Sequence, residues 1–173
     1  MGFSESERNI VLIGMCGVGK STVGVVLAKV LGRDFIDTDV VIQSREGRSL
    51  RQIMEDEGRE RFCEIEERHV MSLQCNRTVI ATGGSVVYSD SAMEHLAVNG
   101  VVLHLDAPLH LVQKRVTNTG ERGVVMTPGQ TLEDLYRERQ PLYRRWADIT
   151  VPTEGRDHQE VLQEILRRLG ENE

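Results

Sequence analysis

The chain has 173 residues, a formal net charge of −6 and only 4% aromatic residues. That length fits one domain over 1–173 with a sizeable core. The acidic balance and scarce aromatics exclude the basic patch and stacking platforms of a nucleic-acid binder. No apolar run approaches the roughly 20 residues that cross a bilayer.

Asn9 to Ile13 reads as a short buried strand, and Ser21 to Leu31 as a helix. Asp34 to Asp37 is a second strand. Asp39–Arg45 and Leu50–Asp56 read as two short helices broken at Gly47, followed by a longer helix over Arg59–Gln74. Thr78–Thr82 is a strand that runs into Gly83-Gly84. The Ser91-x-x-Glu94 pattern predicts a capping box that opens the next helix. Gly100–Leu105 is a buried strand, and Pro108 opens a helix in its first turn, where proline is tolerated. Asn118–Gly129 has no apolar period and reads as a mobile lid. Thr131–Trp146 is helical, with Pro141 expected to kink or break it. Asp148–Val151 is a last strand and Asp157–Leu169 a last amphipathic helix. This β–α alternation predicts an α/β fold with a parallel sheet covered by helices on both faces. Ligands are then expected at the carboxyl ends of the strands.

Between the first strand and helix lies Gly14-Met-Cys-Gly-Val-Gly-Lys20-Ser21, which fits the phosphate-loop pattern G-x-x-x-x-G-K-[ST]. Backbone N–H groups over Gly14, Gly17, Val18 and Gly19, with Thr22 just behind, are candidates to cradle phosphates at a helix N-terminus. Lys20 can reach β/γ-phosphates, and the Ser21 hydroxyl can bind Mg²⁺. These features predict ATP and Mg²⁺ as cofactors. At the second strand end, Asp37 and Asp39 stand two residues apart, so both face one side of an extended chain. One suits water-mediated Mg²⁺ binding and the other an incoming hydroxyl, with helix capping by Asp39 as the structural alternative. Gly83 and Gly84 permit close backbone approach to a ligand. Arg115 and Arg122 flank or occupy the lid, where an arginine can stabilise charge developing on a γ-phosphoryl group. His104, in an apolar strand, is expected to be a hydrogen-bonded core histidine. Cys16, Cys63 and Cys75 are odd in number and lack metal-ligand spacing, so they read as free thiols of a cytoplasmic protein.

Taken in order, the phosphate loop, Asp37-Thr-Asp39, Thr82-Gly-Gly, Arg122 and Arg139-Gln-Pro-Leu-Tyr-Arg resemble the shikimate kinases over nearly the whole chain. The resemblance implies a three-layer, nucleotide-monophosphate-kinase-like P-loop fold with a five-stranded parallel sheet. It also implies transfer of the ATP γ-phosphoryl group to the 3-hydroxyl of shikimate. On that basis Lys20, Asp39 and Arg122 are the catalytic candidates, Ser21 and Asp37 serve Mg²⁺, and Arg115 packs near adenine. Gly83 and Gly84 line the transfer site, and Arg139 meets the substrate carboxylate. No membrane or nucleic-acid partner is implied, and a monomer is expected.

Two positions depart from the resemblance. The family pattern Gly-Glu-x-x-Phe-Arg-x-x-Glu reads Gly58-Arg59-Glu-Arg-Phe62-Cys63-Glu-Ile-Glu66 here, and Ser85 replaces a third glycine. Cys63 thus stands where an arginine would share the carboxylate with Arg139. Ser85 adds a Cβ where a positive φ is a concern. Arg59, one turn before Cys63, is a candidate to return a guanidinium to the pocket. A different acceptor is the alternative, with Glu66 receiving an amine or hydroxyl of an amino acid, amine or polyol. A nucleotide-binding regulator without acceptor chemistry is the third reading.

Overall fold

The computed structural model describes residues 7–116 and 124–170. Five short apolar runs assemble into one parallel sheet of order β2-β3-β1-β4-β5. The strands are β1 (Asn9–Ile13), β2 (Asp34–Asp37), β3 (Thr78–Ala81), β4 (Gly100–Asp106) and β5 (Ile149–Pro152). Every residue of β1 and β3 is buried, as expected of central parallel strands covered on both faces. The helices are α1 (Lys20–Leu31), α2 (Thr38–Glu46), α3 (Leu50–Met71), α4 (Asp90–Val98), α5 (Leu109–Arg115), α6 (Leu132–Trp146) and α7 (His158–Arg168), with a 3₁₀ turn at Val86–Tyr88. The fold class matches the expectation.

Helix α1 lies close against the sheet at Gly24. A Cβ there would stand 2.9 Å from the Phe35 ring and 3.1 Å from Leu12. A second, smaller apolar cluster joins α2 and α3 through Ile42, Leu50, Ile53, Phe62 and Ile65, and includes Val125.

Several local expectations change. The two helices expected on either side of residue 58 are merged into α3, with a kink at Gly58 (φ 79°, ψ 176°). Glycine reaches that conformation without steric cost. Helix α4 is capped by Ser89, whose side chain accepts from Ala92 N, and not by Ser91. Helix α6 continues through Pro141. The proline lies on the exposed side, where solvent can satisfy the carbonyl it leaves unpaired, while Leu135, Arg139 and Tyr143 anchor the buried side. Ser85 has φ −90° and ψ −10°, so its Cβ brings no backbone strain. His104 is fully buried, but neither ring nitrogen has a partner among the described residues. It instead stacks on Tyr143, with ring centroids 5.1 Å apart. Burial holds it neutral by pushing its pKa well below the ordinary value.

Candidate active site

The strand ends of β1, β2 and β3 meet at one cleft of about 680 Å³, whose walls include Gly17, Gly19, Lys20, Asp39, Thr82 and Gly84. Its phosphate end is built by glycines in the left-handed region: Gly14 (φ 142°), Gly17 (φ 76°) and Gly19 (φ 102°). Gly14 also has a packing requirement, since a Cβ there would stand 2.7 Å from Leu105 O. Gly19 is the N-cap of α1 and offers no capping side chain, so the first N–H groups of the helix remain available to an anion.

Lys20 is buried and curls back on the loop, donating to Gly14 O at 2.7 Å and Met15 O at 2.8 Å. Two of its three N–H donors are thereby used, and one remains for a phosphate. Burial lowers its pKa, an effect opposed by nearby Asp39 and Asp37. Ser21 and Thr22 line the same cleft. Val18 is buried among the core side chains and contributes backbone only.

Asp37 is the N-cap of α2, its Oδ1 accepting from Asp39 N at 3.0 Å and Val40 N at 3.4 Å. The capping role considered for Asp39 thus belongs to Asp37. Asp39 is left to line the cleft. Its carboxyl is pushed up to about 6 by burial and by the Asp37 charge, against the pull of Lys20. Gly83 N donates to Thr38 Oγ1 at 3.0 Å, tying β3 to the start of α2.

Beyond Asp39 the site narrows to a small pocket bounded by Phe62, Gly83, Gly84, Ser85, Val125 and Arg139. Arg139 is 1% exposed. It donates from Nε to Tyr88 OH at 3.1 Å and from Nη2 to Val125 O at 2.9 Å. A guanidinium has five N–H groups and remains charged when buried, so Arg139 keeps donors for an anionic acceptor group. Tyr143 OH donates to Gly84 O at 2.7 Å, fixing the floor beneath.

Of the expected residues, Arg115 lines the cleft. Arg122 lies outside the described residues, as does the whole first half of the expected lid, 118–123. Arg59 turns away from the cleft: Nη2 pairs with Glu138 Oε1 at 2.9 Å, and its guanidinium lies 4.8 Å above the Tyr88 ring. Tyr88 is also 5.1 Å from the Arg139 guanidinium, so one ring contacts both arginines. Cys63 and Glu66 lie on α3, and both line a separate cavity of about 130 Å³ with Ser85 and Tyr88.

Sequence reasoning missed His158 and Tyr88. His158 opens α7 and lines the cleft. Its Nε2 would stand 3.1 Å from a Cβ on Gly19. Neither residue falls in a motif, and only the tertiary fold brings each to its place. Among the described residues no group of three or more His, Cys, Asp or Glu forms a metal cluster. That is compatible with Mg²⁺, which is commonly held by one or two carboxylates, substrate phosphates and water.

The family model described as shikimate kinase matches residues 16–170. A shikimate kinase of Thermodesulfovibrio yellowstonii is 39% identical over 163 residues, covering 92% of this chain and 94% of the relative. That of Persephonella marina is 35% identical, covering 94% and 99%. Among solved structures, the Acinetobacter baumannii shikimate kinase in complex with shikimate has a TM-score of 0.86 at 34% identity, covering 98% of this chain and 96% of that one. Gly17, Gly19 and Lys20 of the loop, Asp37, Asp39 and Arg139 lie within the matched residues 16–170, and this chain belongs to the shikimate kinase family.

Proposed function

We infer that this protein transfers the γ-phosphoryl group of ATP to the 3-hydroxyl of shikimate. The observation that carries the reading is the layout of the cleft. The cleft at the phosphate loop and the small pocket at the buried guanidinium of Arg139 share the half-buried carboxylate of Asp39 in their walls. A hydroxylated carboxylic acid matches that order of groups. The family relationship supports shikimate over an amine or polyol acceptor, and over a regulator without acceptor chemistry.

ATP phosphates are received by the N–H groups of the loop and the start of α1, with the free donor of Lys20 reaching the β/γ-phosphates. Arg115 and His158 flank the nucleotide side. Ser21 and Asp37 fit Mg²⁺: the Ser21 hydroxyl is a hard oxygen donor, and Asp37 caps α2 through Oδ1, leaving Oδ2 for a metal-bound water. Held there, Mg²⁺ would supply positive charge that offsets the charge of the phosphates.

Arg139 receives the acceptor carboxylate and sets its orientation. Asp39 accepts the proton of the 3-hydroxyl as that oxygen attacks the γ-phosphorus. The bond from the γ-phosphorus to the β,γ-bridging oxygen breaks, and its electron pair leaves on ADP. A base that titrates at about 6 is ionised at neutral pH, yet holds a proton more strongly than an ordinary carboxylate. Gly83 and Gly84 let the acceptor approach closely, and Arg122 is proposed to meet the charge that develops during transfer. The test is ADP formation by purified protein with Mg²⁺ and ATP, with and without shikimate. Turnover of about 1–100 s⁻¹ that requires shikimate supports the assignment; ATP binding without such turnover rejects it.

A further inference from the structure

The cleft of about 680 Å³ holds one cation to which the phosphoryl-transfer scheme gives no task. The charged side chains of its walls are Lys20, Arg51 and Arg115 against a single carboxylate, Asp39, in a chain whose formal net charge is −6. Lys20 is engaged by the β/γ-phosphates and Arg115 by the rest of the nucleotide. Arg51 stands apart from both, on α3.

Its place in the cleft is informative. Leu50 and Asp39 line both the cleft and the small pocket at Arg139. They mark where the two spaces meet, and the transferable phosphoryl group must sit at that boundary. Arg51 follows Leu50 in the chain but lines the cleft alone. Its guanidinium therefore shares its space with the phosphate loop and not with the carboxylate end of the acceptor.

Helix stability does not account for an arginine at this position. Ser49 caps α3 with its side chain, so Arg51 is the second residue of the helix, and no acidic residue stands in that first turn. The N-terminal end of a helix carries partial positive charge, which disfavours a cation. Nε of Arg51 donates to Glu55 Oε1 at 2.7 Å, one turn further on. Pairs of this spacing support a helix best with the acidic residue first, and this one runs the other way. Both side chains are more than half exposed, at 54% and 59%, so water and salt screen the pair and giving it up costs little. What makes Arg51 a poor helix residue suits a cleft that receives a polyanion, because a guanidinium fork matches the oxygens of a phosphate.

We propose that Arg51 is a nucleotide-binding residue that exchanges Glu55 for the terminal phosphates of a bound nucleoside triphosphate. The proposal rests on the ATP-dependent reading of the cleft and adds a competition to it. Glu55 holds the arginine when the cleft is empty, and the more highly charged triphosphate takes it over. Lys20 is fixed by two backbone carbonyls of the loop, whereas Arg51 brings its charge from a separate element. The phosphates are thus held by two cations that α1 and α3 position independently.

The experiment is calorimetric binding of a non-hydrolysable β,γ-imido analogue of ATP with Mg²⁺, and of AMP, to the full chain and two variants. Arg51→Ala should weaken the triphosphate by about 10-fold, the loss of one charge-assisted hydrogen bond, and AMP by less than about 2-fold. Equal weakening of both ligands, or none of the triphosphate, overturns the proposal. Glu55→Gln removes the competitor and should tighten the triphosphate by about 2-fold with AMP unchanged; unaltered or weaker triphosphate binding overturns the exchange. Tightening is a result that a merely structural role for the pair would not give. No acceptor is present, so these outcomes do not depend on whether shikimate is phosphorylated. A wild-type chain that binds no triphosphate would overturn the ATP reading and this proposal with it.

Discussion

Arg139 and Gly84 are packed so closely that a Cβ added to the glycine would stand 2.9 Å from Nη1 of the arginine. The same carbon would be 3.4 Å from Tyr143 OH and 3.5 Å from Gly14 O. The guanidinium is held by Tyr88 and Val125 and has little freedom to retreat. Gly84→Ala is therefore expected to displace the Arg139 fork and raise acceptor KM by at least about 10-fold, the loss of one charge-assisted hydrogen bond. KM for ATP should change much less. Steady-state kinetics in both substrates check this, and equal effects on the two KM values would contradict it.

Asp39 must be ionised to accept a proton, and its carboxyl titrates at about 6. Activity should be level above that pH and fall by about tenfold per pH unit below it. Asp39→Asn should lose about 10²–10⁴-fold in kcat and lack this acid limb. A profile of kcat against pH for both proteins decides the matter.

His104 predicts a stability effect of the opposite origin. Its folded-state pKa is lowered by burial, so folding excludes a proton that the unfolded chain binds below about pH 6.5. The contribution is fully present above that pH and is lost as pH falls, by at most about 1.4 kcal/mol per unit. His104→Phe retains a ring against Tyr143 and should flatten this acid-side loss. Urea unfolding at about pH 7 and about pH 5 measures it; an unchanged difference between the two would show that other groups set the acid sensitivity.

Arg59 acts at a distance from the cleft. Its ion pair with Glu138 is partly exposed and worth about 1 kcal/mol or less. Its stacking on Tyr88 supports the partner of Arg139. Arg59→Ala should raise acceptor KM by about 5-fold, the equivalent of about 1 kcal/mol, with a smaller effect on kcat. A loss of several hundred-fold would mean that its guanidinium enters the pocket directly.

The elements that sequence periodicity carries well are those with a strong local cause. The apolar run Asn9–Ile13, the glycine loop and the helix behind it are legible because strand, turn and helix each follow from adjacent residues. Gly47 ends α2 where expected, with φ 65°. Pro141 misleads because burial of Arg139 and Tyr143 on the opposite face outweighs one missing hydrogen bond. Ser89 and Ser91 are equally good caps on paper, and the choice falls to Ser89, which also binds Glu67 on α3. In the site, Lys20, Ser21, Asp37 and Asp39 are readable from one motif and one strand end. The roles of Tyr88, His158 and Ser85 depend on what faces them across the fold, which local spacing does not encode.

Gly24 has a further consequence. It touches no part of the cleft, yet it sets how near α1 lies to Phe35 and Leu12. The first residue of that helix is Lys20, so the rod that rests on Gly24 also holds the phosphate loop at its tip. Enlarging this contact would tilt the rod like a lever over a raised fulcrum, and the tip would move out of line with the acceptor. A change in the packing beneath the helix would then be felt as slower chemistry in a protein that still folds.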